Sequence, residues 1–164
     1  AQNAENDVMA HPLVLGAGGA ARAVIYALLQ TNTQRVLVAA RNPQKAASLK
    51  RMDPRVFIIA WDRIEATLPN TSLLINTTPL GMKGKPPLQL SLNTLHPQAV
   101  VTDIVYNPLQ TELLNNARAQ GNLTIDGLGM LIYQAIPGFT QWFGTEPKVN
   151  LDALSSLKTM LLRP

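Results

Sequence analysis

The sequence has no cysteine, few aromatic residues and no long apolar run. The absence of cysteine excludes disulfide bonds, thiolate catalysis and thiolate metal sites. No apolar segment approaches the length of about 18 residues that a membrane-spanning helix needs. Aromatic residues make up only 5% of the chain and its net charge is a modest +4, whereas a nucleic-acid-binding surface needs clustered cations and interleaved aromatics. The polar N-terminus lacks the apolar region of a signal peptide, so we expect a cytoplasmic protein with neither a membrane nor a nucleic-acid partner.

The length and composition are those of a folded globular domain. The chain has 164 residues, of which 46% are hydrophobic and 15% charged, enough for one domain with a hydrophobic core. Short apolar runs predict strands at Leu13–Leu15, Val36–Ala40, Val56–Ile59, Leu73–Asn76, Val100–Ile104 and Leu123–Ile125. Helical patterns lie at Ala20–Gln30, Pro43–Lys50, Gln110–Gln120, Met130–Phe143 and Leu151–Leu162. This alternation predicts an α/β fold, Rossmann-like and doubly wound, with a mostly parallel sheet and helices on both faces.

A glycine-rich turn follows the first predicted strand. The strand ends in Gly16, Gly18 and Gly19, and a helical pattern begins at once. Such a strand–turn–helix unit holds a dinucleotide pyrophosphate, because Gly16 allows a sharp turn and Gly18 lets the backbone approach the phosphates. The helix start adds free N–H groups and the positive end of its dipole. Ala21 stands where the commoner motif has its third glycine, and the bland alternative is a tight turn with no ligand.

The second predicted strand is followed by cations rather than by an acid. About 20 residues past the turn, an NAD-binding fold usually carries an Asp or Glu that bonds the ribose 2′-hydroxyl. Here that place is taken by Arg41, with Lys45 four residues on. An arginine can bond a 2′-phosphate with two N–H groups and stack on the adenine. The pattern therefore favours NADP over NAD, the alternative being two solvated surface cations.

Five segments together resemble the shikimate dehydrogenases, in that family's order and spacing. They are Gly-Ala-Gly-Gly-Ala-Ala-Arg-Ala (16–23), Ala-Arg-Asn-Pro-Gln-Lys (40–45), Leu-Leu-Ile-Asn-Thr-Thr-Pro-Leu-Gly-Met (73–82), Asp-Ile-Val-Tyr-Asn-Pro-Leu-Gln-Thr (103–111) and Asp-Gly-Leu-Gly-Met-Leu-Ile-Tyr-Gln-Ala (126–135). The resemblance implies the family's NADP-binding half, and an enzyme that reversibly reduces 3-dehydroshikimate to shikimate with NADPH. It also implies that residues 1–12 are a linker remnant and 13–148 the NADP-binding domain. Apolar residues at helical spacing predict that 149–164 form a C-terminal amphipathic helix.

The resemblance also implies which residues contact the ligands. The expected cofactor-binding residues are Gly16, Ala17, Gly18, Gly19, Ala20, Arg41, Asn42, Lys45, Asn76, Thr77, Thr78, Gly127 and Met130. Among them, Asn76 to Thr78 match a turn beside the cofactor ribose, while Gly127 and Met130 match the nicotinamide region. Ala40 replaces an Asn of the family's 2′-phosphate motif, which removes one polar contact. Tyr106 and Gln134 match residues that reach the substrate.

The same residues admit plainer interpretations. The Asn76–Thr78 segment could be a simple Asx turn, the Tyr106 ring could be buried with its hydroxyl satisfied, and Gln134 could merely face solvent. No metal site is predicted, because both histidines, His11 and His96, are isolated. Residues 79–97 contain Pro and Lys without periodicity, so we expect a long loop beside the site.

The catalytic Lys and Asp of the family come from an N-terminal substrate domain, whose Ser-x-Thr-x-Pro-x-Lys type of motif has no match in this sequence. We therefore expect no catalytic residue in this chain, which would act on shikimate or 3-dehydroshikimate only through a complete enzyme with that missing domain. Two alternatives stay open: a stand-alone dinucleotide-binding or sensor module without its own chemistry, and the cofactor domain of a quinate/shikimate dehydrogenase.

Overall fold

Residues 10–161 are described by a computed structural model, apart from the side chains of Lys45, Leu151 and Ala153. Within this part the strands are β1 Pro12–Leu15, β2 Val36–Ala40, β3 Val56–Ala60, β4 Leu73–Asn76, β5 Val100–Asp103 and β6 Leu123–Ile125. The α-helices are α1 Gly19–Leu29, α2 Pro43–Lys50, α3 Ile64–Thr67, α4 Glu112–Ala119, α5 Leu128–Phe143 and α6 Leu151–Leu161. Short 3₁₀ turns at Trp61–Arg63 and Leu68–Asn70 flank α3.

The six strands form one sheet in the order β3-β2-β1-β4-β5-β6, and every pairing in this sheet is parallel. The predicted doubly wound α/β fold is confirmed. The direction of winding reverses between β1 and β4, which are hydrogen-bonded neighbours. In an open α/β sheet, ligands bind in the crevice outside the carboxyl ends of the strands at such a reversal. The predicted glycine turn follows β1 and therefore lies there.

The core lies on both faces of the sheet because the central strands are apolar on both faces. On one face Val14 and its neighbours pack against Ile25 and Leu28 of α1. On the other face Leu13 and Leu15 pack against a layer that includes α4 and residues 79–97. The loop predicted at 79–97 is confirmed as lacking helix and strand. It also covers the sheet, since it buries three leucines, Leu88, Leu92 and Leu95.

The predicted element boundaries differ from the structure in a few places. The helical turns between residues 61 and 70 were not predicted, because the segment is too short to show a helical period. Helix α4 begins at Glu112 rather than Gln110, since Thr111 is its N-cap and its Oγ1 accepts a hydrogen bond from the backbone N–H of Leu114. Helix α5 begins two residues before the predicted Met130, where Asp126 Oδ1 accepts from Leu128 N at 3.1 Å.

The edge strand β6 is less buried than the central strands. Its apolar side chains Leu123 and Ile125 are 67% and 52% exposed. Helix α6 places Leu154 and Leu161 against a small apolar cluster formed by Leu109, Leu128 and Ile132. Among the described residues, no helix has both the length and the apolar character required to cross a membrane.

Candidate functional site

The carboxyl ends of β1 and β4 are joined directly by hydrogen bonds. The backbone N–H of Thr77 donates to the carbonyl oxygen of Leu15 at 3.0 Å, and the Thr77 hydroxyl donates to the same oxygen at 2.6 Å. On the other side, the N–H of Gly16 donates to the carbonyl oxygen of Ala39, near the end of β2, at 2.9 Å. The glycine turn is therefore held between its two neighbouring strands at the point where the winding reverses.

The glycines of this turn have different physical roles. Gly16 has φ +104°, a conformation that L side chains rarely adopt, and a Cβ there would lie 2.9 Å from Thr78 Cγ2. A Cβ built on Gly18 or Gly19 would meet no atom within 4 Å. Gly16 thus forms the sharp bend, while Gly18 and Gly19 leave open space above the backbone. Ala17 and Ala20 are exposed beside them.

Helix α1 presents an uncompensated N-terminus to this open space. Its N-cap is Gly18, which has no side chain to bond the first N–H groups, and its first turn contains no acidic residue. The N–H of Arg22 donates to the carbonyl oxygen of Gly18 at 3.1 Å. The N–H groups before it point out of the helix, where the helix dipole places partial positive charge. The turn and helix start can therefore hold a bound anion.

Arg41 lies at the same edge of the sheet. It directly follows β2, two residues after the Ala39 carbonyl that holds the glycine turn, and it is exposed. Asn42 is also exposed, and its carbonyl oxygen accepts from Ala46 N at 3.2 Å at the start of α2. The side chain of Lys45, the other predicted cation, lies outside the described residues.

The turn after β4 is held by side chains that face inward. Asn76 is fully buried, and its Oδ1 accepts from the backbone N–H of Thr78 at 3.0 Å and from the Thr78 hydroxyl at 2.7 Å. Its Nδ2 donates to the carbonyl oxygen of Leu80 at 3.2 Å. The polar groups of Asn76 and Thr77 thus face inward and fix the turn. Contact of these residues with a ribose stays a prediction.

A buried carboxylate, which the sequence analysis did not single out, lies behind this turn. Asp103 is 1% exposed at the end of β5, opposite Asn76 in the register of the sheet. It accepts from Asn76 Nδ2 at 3.0 Å, from Val105 N at 3.0 Å and from Thr111 Oγ1 at 2.8 Å. Burial raises the pKa of Asp103, and the three hydrogen bonds oppose this rise. A single Asp at the end of an apolar strand was the only signal available in the sequence.

The predicted substrate residues follow the last two strands. Tyr106 comes three residues after the end of β5 and is 38% exposed. Gly127 is buried directly before α5, and a Cβ there would lie 2.6 Å from the carbonyl oxygens of Ile104 and Val105. Met130 is half-buried and Gln134 exposed, one turn apart on the same face of α5. The segment bearing Tyr106 and the start of α5 are therefore packed together.

These groups form a row along one edge of the sheet. Arg41 follows β2, the glycine turn follows β1, the Asn76–Thr78 turn follows β4, Tyr106 follows β5 and Gly127 follows β6. Neighbouring strands lie about 4.8 Å apart, so the row spans about 19 Å. An elongated ligand could therefore contact all of these positions. Among the described residues no three His, Asp or Glu side chains lie close enough to hold a metal ion.

Two family models match the sequence. The model described as "Shikimate / quinate 5-dehydrogenase" matches residues 1–80. The model described as "Shikimate 5'-dehydrogenase C-terminal domain" matches residues 127–151. The two matches include the glycine turn and Arg41 at one end of the row, and Gly127 and Gln134 at the other.

Known proteins of this type are similar over most of the chain. The NADP⁺-dependent shikimate dehydrogenase of Rhodopseudomonas palustris (strain ATCC BAA-98 / CGA009) is 53% identical over 145 residues, which are 88% of this chain and 52% of the relative. The chain thus spans about half the length of the curated relatives it matches.

Two solved structures agree with the fold. The quinate dehydrogenase of Corynebacterium glutamicum, solved with NAD, has a TM-score of 0.80 and 31% identity, covering 94% of this chain and 55% of that one. The shikimate 5-dehydrogenase of Thermus thermophilus, solved with NADP(H) and shikimate, has a TM-score of 0.76 and 30% identity. The match covers 92% of this chain and 55% of that one.

Proposed function

Because the chain belongs to the shikimate dehydrogenase family, we propose that it is the NADP(H)-binding domain of an enzyme that interconverts 3-dehydroshikimate and shikimate. NADPH would supply the hydride for the reduction of the 3-keto group. The domain itself would bind and orient the cofactor. The rest of the substrate site and the acid–base pair would come from the part of such an enzyme that this chain does not represent.

The order of chemical groups along the sheet edge carries this proposal. A cation follows β2, an anion-binding turn follows β1, and a tyrosine follows β5. A dinucleotide with a 2′-phosphate has its charges in the same order, with the adenosine phosphate at one end and the pyrophosphate next. Its nicotinamide would then lie toward β5 and β6, beside Tyr106, Met130 and Gln134.

The chain's own residues fit such a cofactor. The space over Gly18 and Gly19 would admit the pyrophosphate, and the N-terminus of α1 would supply hydrogen-bond donors and positive potential. Arg41 would bond the 2′-phosphate and, with its planar guanidinium, stack on the adenine. Tyr106 and Gln134 would form one wall of the substrate site by hydrogen bonding to hydroxyl groups.

The choice between NADP and NAD depends on Arg41. The two solved neighbours differ here, since one is described with NAD and the other with NADP(H). A cation after β2 favours the extra phosphate through a charge-assisted hydrogen bond, whereas an acid would repel it. We therefore place the chain with the NADP-dependent enzymes rather than with an NAD-dependent quinate dehydrogenase.

Calorimetric titration of the purified chain with NADP⁺ and NAD⁺ tests the proposal. We expect NADP⁺ to bind more tightly, and Arg41→Ala to weaken NADP⁺ binding about tenfold or more while changing NAD⁺ binding little. Arg51→Ala is the matched control, because Arg51 is also an exposed cation, just beyond the other end of α2. Equal affinity of the unsubstituted chain for both cofactors would contradict the assignment.

A further inference from the structure

Donors from two connections, one that leaves β4 and one that leads from β5 to α4, converge on the carboxylate of Asp103. Asn76 belongs to the end of β4, Val105 to the segment that leads from β5 to Tyr106, and Thr111 is the N-cap of α4. Asp103 Oδ1 accepts the first two hydrogen bonds and Oδ2 the third. The Asp103 side chain therefore sets the relative positions of the turn after β4, the segment after β5 and the start of α4.

The hydrogen bond between Asp103 and Asn76 connects Asp103 to the turn after β4, which is assigned to the cofactor side of the site. With its Nδ2 held by Asp103, Asn76 directs Oδ1 toward the N–H and hydroxyl of Thr78. The Thr78 hydroxyl in turn accepts from Leu80 N at 3.2 Å. Asn76 Nδ2 also donates to the carbonyl oxygen of Leu80 at 3.2 Å, a longer contact than the 3.0 Å bond to Asp103. Without Asp103 the amide would keep only this contact within its own turn, and the side chain that accepts from Thr78 would lose its link to β5.

Stability alone does not account for a carboxylate at this position. The described part of the chain contains one ion pair, Arg55 with Asp53, so Asp103 is buried without a cation. Such burial costs free energy that a well-packed apolar side chain would not cost. What Asp103 provides instead is two acceptor oxygens for three donors, and a fully satisfied buried network of this kind holds its members in one arrangement.

We infer that Asp103 is a positioning residue, which holds the β4 turn on the cofactor side and the Tyr106 segment on the substrate side in a fixed relation. The inference rests on the proposed function, in that both segments are assigned to the site there. Because Asp103 is buried, it would act through Asn76 and through the backbone of Val105 rather than by direct contact with a ligand.

NADP⁺ binding and amide hydrogen exchange of the same variants test this inference. Asp103→Ala should weaken NADP⁺ binding about tenfold, because the β4 turn loses its link to the segment after β5. It should also speed exchange of the Thr78 and Val105 amides together, by about tenfold or more, while the Gly16 amide stays protected. Asp103→Asn keeps an acceptor at Oδ1 and should stay within about threefold of the unsubstituted chain in both measurements.

Asp53→Ala is the matched control for lost stability. The carboxylate of Asp53 also accepts hydrogen bonds from one backbone N–H and from one side chain, both of Arg55. Asp53 lies just before β3, which is at the other end of the strand order from β5 and β6. The Asp53→Ala variant should have a lower free energy of unfolding and an unchanged affinity for NADP⁺. Should Asp103→Ala not fold, Asn76→Ala can be measured instead. This variant removes the bonds of Asn76 to Asp103 and Thr78 but keeps the bond between Val105 and Asp103. Protection of the Thr78 amide should then fall while that of the Val105 amide remains.

The outcomes separate the inference from the proposed function. Failure of the unsubstituted chain to bind NADP⁺ would count against the proposed function, and the exchange data would still decide the role of Asp103. Wild-type affinity and wild-type Thr78 protection in folded Asp103→Ala would overturn the inference. An Asp53→Ala variant that binds NADP⁺ as weakly as Asp103→Ala would also overturn it, because lost stability would then explain both.

Discussion

At the scale of single residues, two glycines of one turn differ in what they tolerate. Gly18→Val should leave the chain folded, because Gly18 has φ −85° and open space around its Cβ position. It should nevertheless weaken binding of NADP⁺ and NAD⁺ at least about tenfold, since a branched side chain would occupy the place of the pyrophosphate. Thermal unfolding and calorimetric titration of the same preparation measure both effects.

Gly16→Val is the matched comparison within this turn. Its φ of +104° and the 2.9 Å approach of a Cβ to Thr78 Cγ2 predict a loss of unfolding free energy of about 1–3 kcal/mol. The two substitutions thus separate binding from stability. A folded Gly18→Val variant with unchanged affinity for both dinucleotides would show that the ligand does not lie on this turn.

At the scale of elements, the start of α5 is fixed by its contact with the end of β5. Gly127→Ala would place a Cβ 2.6 Å from the backbone carbonyls of Ile104 and Val105, which have little freedom to move. We expect α5 or the Tyr106 segment to shift, with a loss of unfolding free energy of about 1–3 kcal/mol. Urea unfolding measures this as a lower midpoint with an unchanged slope.

Gly138→Ala, within α5, is expected to raise the free energy of unfolding rather than lower it. A Cβ at Gly138 meets no atom within 4 Å, and alanine favours a helix interior over glycine by about 0.5–1 kcal/mol. If Gly127→Ala is as stable as Gly138→Ala, then the start of α5 does not pack against the end of β5. The sequence alone offered no reason to distinguish these two glycines, because the difference lies in what each one touches.

At the scale of the whole molecule, we expect the site on this chain to be one wall of a larger site. We expect the chain by itself to bind NADPH but not to oxidise it measurably with 3-dehydroshikimate. Without a placed acid–base group a rate loss of about 10²–10⁴-fold is expected, and lost substrate positioning deepens it. A spectrophotometric assay of NADPH oxidation measures this, with the complete Rhodopseudomonas palustris relative as the positive control.

The same assay can be repeated with the substrate half of a related enzyme added in trans, which is expected to restore some turnover. Turnover by the chain alone at about 1 s⁻¹ or faster, a rate ordinary for enzymes, would show that it carries a complete site. The cofactor assignment would survive that result, because it depends on Arg41 and the glycine turn and not on catalysis.

The sequence by itself determined the alternation of strands and helices, the glycine turn and the cation after β2. These features are local: an apolar run, a glycine at a bend and a charge directly after a strand are each visible in a few consecutive residues. A mostly parallel sheet then follows for the strands that predicted helices separate, because such strands can pair in few other ways, although β4 and β5 are parallel without a helix between them. The resemblance to a family added the expected roles of Tyr106, Gln134 and Gly127.

The tertiary structure decided what the polar residues at the strand ends touch. Asn76 and Thr77 face inward and fix a turn, and Gly127 is required by the backbone beside it. Asp103 joins segments separated by 27 and 8 positions in sequence, at Asn76 and Thr111. No local pattern encodes the contact between Asn76 and Asp103, because it exists only once β4 and β5 lie side by side and bury the groups that must then be paired.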